Sequence, residues 1–259
     1  MCIIIAKNSG VKLPSKKVLK SCFNSNPDGT GIMFSHGGKV NIEKGFMKFK
    51  SFWKYHQGMG FDKNTAIVYH FRIATAGGTS PENCHPFPIS DSEELLKKLT
   101  IEGEKIAIAH NGIIPINTPK HLSDTQVFIR DILAGVKTEL VNKNKAVLKL
   151  IEGATAGSRF ALLYGNGEII TSGSGWIPDR NGLIFSNHSY LPRTVWYDSP
   201  IFYKPIPTAK VGIGGKNDIA ECALHCDFCG GILENWGQDY YCIACDEILN
   251  LDPDPDPWP

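Results

Sequence analysis

The stretch TAIVYHFRIATAG, Thr65 to Gly77, is rich in β-branched and aromatic residues as far as residue 74 and then breaks into small ones. That composition predicts a strand over 65–74 that delivers Arg72 next to a glycine turn. Upstream, NPDGTG at 26–31 is turn chemistry. GIMFS and KVNIE flank His36-Gly37-Gly38 as a β-hairpin. SKKVLKSCF, residues 15–23, places Val18, Leu19, Cys22 and Phe23 on one helical face behind a Ser15 cap. A short aromatic helix is expected over 50–57, and CIIIA at 2–6 is a buried-strand signal.

Downstream, EKIAIAHNG (104–112) is a strand that ends at a glycine. Ser123-Asp124-Thr125 opens a helix, TQVFIRDILAGV, and a second helix covers about 143–152. Strands follow at SRFALLY, EIITSG and GLIFSN. This order is not a regular βαβ alternation, which excludes a parallel doubly wound sheet and leaves an α+β class. The 259 residues suit one large domain, here 2–205, plus a small module at 222–249 and an acidic proline-rich tail at 250–259. Alternate prolines in LDPDPDPWP forbid a helix or a strand ladder.

With 27 Lys+Arg against 26 Asp+Glu, the net charge of +1 gives no general case for a nucleic-acid or membrane surface. No apolar run approaches the roughly 18 residues that span a bilayer. The start, MCIIIAKNSG, lacks a basic region before its short apolar run. The expected compartment is the cytoplasm, where cysteines serve catalysis or metals more than disulfides.

Cys226-x2-Cys229 and Cys242-x2-Cys245 are two CxxC pairs around ILENWGQDYYC, a predicted hairpin. Two such pairs supply a tetrahedral thiolate set, the pattern of a zinc ribbon with structural Zn2+. An iron–sulfur cluster or paired disulfides are the alternatives. From 222 to 259 there is no Lys or Arg, which weighs against phosphate-backbone binding by the ribbon. Phe228, Trp236, Tyr240 and Tyr241 offer an aromatic surface for a protein partner instead.

Cys2 follows Met1 directly. Removal of Met1 gives one residue a thiol of pKa about 8.5 and an α-amine of about 7.7–8.0, a nucleophile and a base together. Arg72 is a bidentate partner for a carboxylate. The Asn111 amide and the Gly112 N–H can form an oxyanion hole, and Asp124 can pair with an ammonium. Each residue also has a plain structural use. Arg72 can be an ordinary strand residue, Asn-Gly a hairpin turn and Ser-Asp-Thr a helix cap.

In order and spacing, Met1-Cys2-Ile3, the 26–31 turn, His70 to Gly77, His110-Asn111-Gly112, Ser123-Asp124-Thr125 and Gly182 to Asn187 resemble the class II glutamine amidotransferases. These are N-terminal-nucleophile hydrolases. The likeness covers about residues 2–190. It implies a four-layer αββα sandwich with two antiparallel sheets. It implies that Cys2 attacks the side-chain amide of L-glutamine and that Asn111 and Gly112 hold the oxyanion. Arg72, Thr75 and Asp124 would grip the amino-acid end. Ala76 stands where some members have histidine. Relatives that use the ammonia in the same chain carry a large second domain, and about fifty residues remain here, so the resemblance implies a separate ammonia-accepting enzyme. A γ-glutamyl amide or peptide hydrolase of the same fold, and a non-catalytic protein acting through its ribbon, are the other readings.

Overall fold

Ile3–Lys7 forms β1, and all five residues are buried. Continuous burial of an apolar run is what a central strand covered on both faces requires. The computed structural model describes residues 2–74 and 78–191, together with the backbone of three short strands between 233 and 249. By its internal contacts the chain divides into two units, Met1–Tyr190 and Leu191–Pro259.

The first unit is α+β. Helix α1 (Lys16–Ser25) is capped by the Ser15 side chain and buries the four residues its periodicity selects. The hairpin β2 (Thr30–His36) and β3 (Lys39–Phe46) precedes α2 (Phe49–Gly58) and β4 (Ile67–Phe71). Then come β5 (Phe87–Pro88), α3 (Glu93–Lys97), β6 (Thr100–Glu104) and β7 (Ile106–Asn111). After α4 (Asp124–Phe128), α5 (Lys137–Val141) and α6 (Lys145–Ala154), the unit ends with β8 (Arg159–Tyr164), β9 (Ile169–Ser172), β10 (Ile177–Pro178) and β11 (Leu183–Phe185). One antiparallel sheet has the order β10-β11-β1-β4-β2-β3-β6, and the other β5-β7-β8-β9.

Alternation within strands sorts the side chains. Ile4, Met33, Val40, Ile42 and Val68 of the larger sheet join Ala107, Ala109, Ala161 and Leu163 of the smaller in one apolar cluster. The opposite face of the smaller sheet, including Ile106, Ile108, Phe160 and Leu162, packs with Phe128, Ile129, Leu133 and Leu140 of the helical segment. On the far side of the larger sheet, Phe52 of α2 meets Tyr69 and Phe71 edge-on.

The helix expected from residue 125 to 136 is not uniform. Its start is a full capping box between Ser123 and Gln126. Beyond Phe128 it widens into a π-helical turn, Ile129–Leu133, then tightens at Ala134–Val136. The wide turn keeps Ile129 and Leu133 in the core while the Arg130–Asp131 ion pair stays outside. Periodicity of 3.6 could not reveal it. Nor did it reveal β6, an edge strand whose only buried residue is Ile101.

In the second unit, β12 (Leu233–Trp236), β13 (Asp239–Cys242) and β14 (Glu247–Leu249) form an antiparallel sheet, with Leu233 opposite Cys242. The hairpin predicted between the two CxxC pairs is therefore present. Cys226, Cys229 and Cys245 lie outside the described residues, and Cys242 is described only as strand backbone. Among the described residues, no helix is long and apolar enough to cross a membrane.

Gly31 is a close-approach glycine at the site end of β2. A Cβ there would sit 2.2 Å from the His85 carbonyl oxygen and 2.9 Å from Lys44 Cα. Gly31→Ala should therefore cost about 2–4 kcal/mol in urea unfolding. Gly58→Ala, with nothing within 4 Å, should be neutral or stabilising by about 0.5–1 kcal/mol. Equal effects of the two would contradict this packing.

Candidate active site

The pairing of β1 with β4 sets Ile3 opposite Phe71 and Ile4 opposite His70. One step further along this register stands Cys2 beside Arg72. Directly opposite residues of an antiparallel pair share a face, and Ile4 marks that face as the one turned to the smaller sheet. The inter-sheet space is thus apolar along most of its length and polar at this end.

Cys2 is half-buried. Its sulfur receives the Ile73 N–H at 3.3 Å and its S–H points at the Ile73 carbonyl at 3.4 Å. Burial pushes the thiol pKa up, while the Ile73 N–H and the Arg72 guanidinium pull against that rise. A thiol in this setting needs a base to become a thiolate near neutral pH.

Arg72 is buried at 3% exposure. Its Nη1 donates to the Gly78 carbonyl at 2.7 Å. The 26–31 turn locks the same segment. The Arg72 N–H donates to the Gly29 carbonyl at 2.8 Å, the Asp28 N–H to the Arg72 carbonyl at 3.0 Å, and the Ala74 N–H to Asp28 Oδ2 at 2.9 Å. Cys84 completes the row. Its sulfur lies 2.4 Å from where a Gly29 Cβ would be. Burial pushes this thiol up to about 11 against the pull of Arg72 and Lys44.

Asn111 ends β7 and is buried at 1% exposure. Its Nδ2 donates to Ser186 Oγ at 2.8 Å. That same oxygen accepts the Ile4 N–H at 2.9 Å. Asn187 Nδ2 donates to the Cys2 carbonyl at 2.6 Å. Asn111-Gly112 is not a hairpin turn here. The chain leaves β7 and runs to α4. Gly112 is required by crowding, because a Cβ would come within 2.4 Å of Ser158 Oγ and 2.8 Å of Ser158 Cα.

Asp124 opens α4. Its Oδ2 accepts the Ile114 N–H at 2.7 Å and its Oδ1 the Thr125 N–H at 2.8 Å. The carboxylate thereby pins the 112–114 segment to the helix start. So the fold gathers Cys2 and Arg72 directly, joins Asn111 to β1 through Ser186, and holds Asp124 against the loop leaving Asn111. Thr75 lies outside the described residues.

Sequence reasoning gave no role to the buried polar groups behind this row, although His70 and His110 stand in two of the stretches quoted for the resemblance. The Lys44 ammonium donates to the carbonyls of Glu82 (2.9 Å) and Leu96 (2.7 Å) and sits 3.8 Å from the Phe87 ring centre. Burial holds its pKa well below the usual lysine range. His70 Nε2 faces the His110 carbonyl at 3.0 Å, and the His70 and His85 rings are 4.3 Å apart. His110 bridges Thr125 Oγ1 at 2.8 Å and Ser158 Oγ at 2.9 Å. No periodicity or motif announces such partners, because they meet only through strand register. Among the described residues, no group of three or more His, Cys, Asp and Glu could hold a metal ion.

Comparison of the chain with known protein families finds no matching family model, and comparison with curated proteins finds no match.

Burial pushes the imidazole pKa of His70 down to about 3 and of His110 to about 4, and holds that of His85 well below the usual range. Away from the site, burial also lowers His56 to about 4. Each stays neutral when folded and gains a proton on unfolding, so stability falls as pH drops through about 6.5. Between pH 7.5 and 5.5 each should cost about 1.4 kcal/mol, before carboxylates titrate. Urea unfolding at the two pH values measures the loss. A flat profile would mean that these rings are already protonated or exposed.

Proposed function

We propose that this protein is a glutamine-hydrolysing amidotransferase of the N-terminal-nucleophile kind, acting through Cys2 after removal of Met1. The observation that carries the reading is the Cys2 sulfur held on the Ile73 backbone beside the Arg72 guanidinium, at the end of the inter-sheet space that Asn111 also enters. The fold reading that goes with it is a four-layer αββα sandwich. Its support is the apolar cluster shared by two antiparallel sheets, with helices packed on their other faces.

In this mechanism the free α-amine of Cys2 takes the thiol proton. The thiolate attacks the side-chain carbonyl carbon of glutamine. The developing oxyanion lies between Asn111 Nδ2 and the Gly112 N–H. The ammonium returns its proton to the leaving nitrogen, and the carbon–nitrogen bond breaks to give ammonia and a thioester. Water, deprotonated by the same amine, then releases glutamate and restores the thiol. Arg72 and Asp124 select an α-carboxylate and an α-ammonium. Burial that raises the thiol pKa makes the neighbouring base necessary, which suits a residue carrying its own amine. The ammonia goes to a separate acceptor enzyme.

Glutamine should release ammonia and glutamate in equal amounts, and the purified protein should weigh one methionine less than its sequence. Cys2→Ala should reduce turnover at least about 1,000-fold while leaving the melting temperature within a few degrees. Retained Met1, or turnover that survives Cys2→Ala, removes the mechanism. Cleavage of γ-glutamyl peptides without glutamine hydrolysis would keep the nucleophile and change the substrate.

We also propose that Cys226, Cys229, Cys242 and Cys245 bind one structural zinc ion, a reading supported by their paired spacing around the β12–β13 hairpin. Elemental analysis should find close to one zinc per chain. Chelation should unfold the second unit and leave the first intact, because a module this small depends on its metal to fold. Iron in place of zinc, or no metal at all, would refute this.

A further inference from the structure

We infer that Ser186 and Asn187 are positioning residues of the active site, holding the nucleophile and the oxyanion amide in one frame; this rests on the glutaminase reading above. The ladder between β1 and β11 runs out at Ile5 opposite Phe185. Beyond it the backbone gives one more bond, from the Ser186 N–H to the Ile4 carbonyl at 3.0 Å. The next bond is made by a side chain. Ser186 Oγ, fully buried, accepts the Ile4 N–H at 2.9 Å and Asn111 Nδ2 at 2.8 Å. A hydroxyl has two acceptor lone pairs, and here one faces each sheet. A single oxygen therefore spans from the strand of the nucleophile to the strand of the oxyanion amide. With one Nδ2 hydrogen fixed on Ser186, the second has a defined direction for substrate.

Asn187 acts on the other half. Its Nδ2 grips the Cys2 carbonyl at 2.6 Å, and its Oδ1 accepts the Ser189 N–H at 2.9 Å, which fixes the amide's orientation. Ser189 Oγ in turn accepts Asn26 Nδ2 at 3.2 Å, anchoring the segment to the end of α1. Once Met1 is gone, Cys2 has no upstream peptide to restrain it. Fixing its carbonyl sets the axis about which the amine and the thiol turn together, and the bonds between the sulfur and Ile73 set the angle. A base and nucleophile on one carbon work only when this rotation is set relative to the oxyanion donors.

Steady-state glutamine hydrolysis and iodoacetamide alkylation of Cys2 test this on the full chain. Ser186→Ala should lower kcat about tenfold to a hundredfold with KM within about threefold, since a misaimed oxyanion donor costs up to what its deletion costs. Alkylation, which forms no oxyanion, should keep its wild-type rate. Asn187 is only half-buried, so Asn187→Ala should fold; it should lower kcat about tenfold at steady KM. Folded variants with wild-type kcat overturn the positioning role. So does a Ser186→Ala variant whose alkylation and melting temperature fall with kcat, if Asn187→Ala is fully active. Absence of ammonia release by the wild type instead overturns the glutaminase reading itself.

Discussion

The register of β1 between β4 and β11 is the constraint on which the site depends. Ile3 opposite Phe71 and Ile5 opposite Phe185 fix which face each residue of the first strand presents. A slip of one residue would turn every side chain of β1 to the other face. Ile4 would leave the inter-sheet cluster, and Cys2 would point toward the α1–α2 layer, away from Asn111. Pairing on both sides, with every residue of β1 buried, makes that slip prohibitive. The same apolar packing that stabilises the first unit therefore also sets the direction of the Cys2 sulfur.

Polar groups at the end of the inter-sheet space carry a desolvation cost that the fold offsets group by group. Lys44 is surrounded by two carbonyls and an aromatic face. His110 has a hydroxyl at each ring nitrogen. Neutral imidazoles are cheaper to bury than charged ones, and the depressed histidine pKa values follow from that. Arg72 pulls the pKa of both thiols downward against burial, and Lys44 adds to that pull at Cys84. At Cys2 burial outweighs the opposing pulls and pushes the thiol pKa up.

Much of this was legible in the sequence where the signal is local. Strands at 65–74 and 104–112, the Ser15 cap and the helix start at Ser123-Asp124-Thr125 follow from composition and spacing within a few residues. The candidate positions Cys2, Arg72, Asn111 and Asp124 could be singled out because each sits at a predicted strand or helix end beside a chemical cue: a thiol after Met1, a guanidinium before a glycine turn, an amide before a glycine and a helix-start carboxylate. The residues that connect them could not. Ser186 meets Ile4 across 182 positions and Asn187 meets Cys2 across 185. Gly29 looks like an ordinary turn glycine until Cys84 is seen occupying the place of its side chain. The π-helical turn after Phe128 is equally silent, since its cause is the core it faces rather than its own residues.

The Ser186 bridge also bears on how Cys2, so near the start of the sequence, is held. Terminal residues fray when only one side of them is bonded. Here Cys2 is bonded through its sulfur to Ile73 and through its carbonyl to Asn187, and Ile4 is bonded on both backbone groups to Ser186. These bonds come from the segments that follow β4 and β11, the two neighbours of β1. In the proposed mechanism a cysteine placed further inside the strand would be equally well held but would have its nitrogen committed to a peptide bond and lost as a base. With Met1 removed as proposed, the end of a central strand is a position where firm support on both flanks and a free amine would be compatible, and Cys2 lies there.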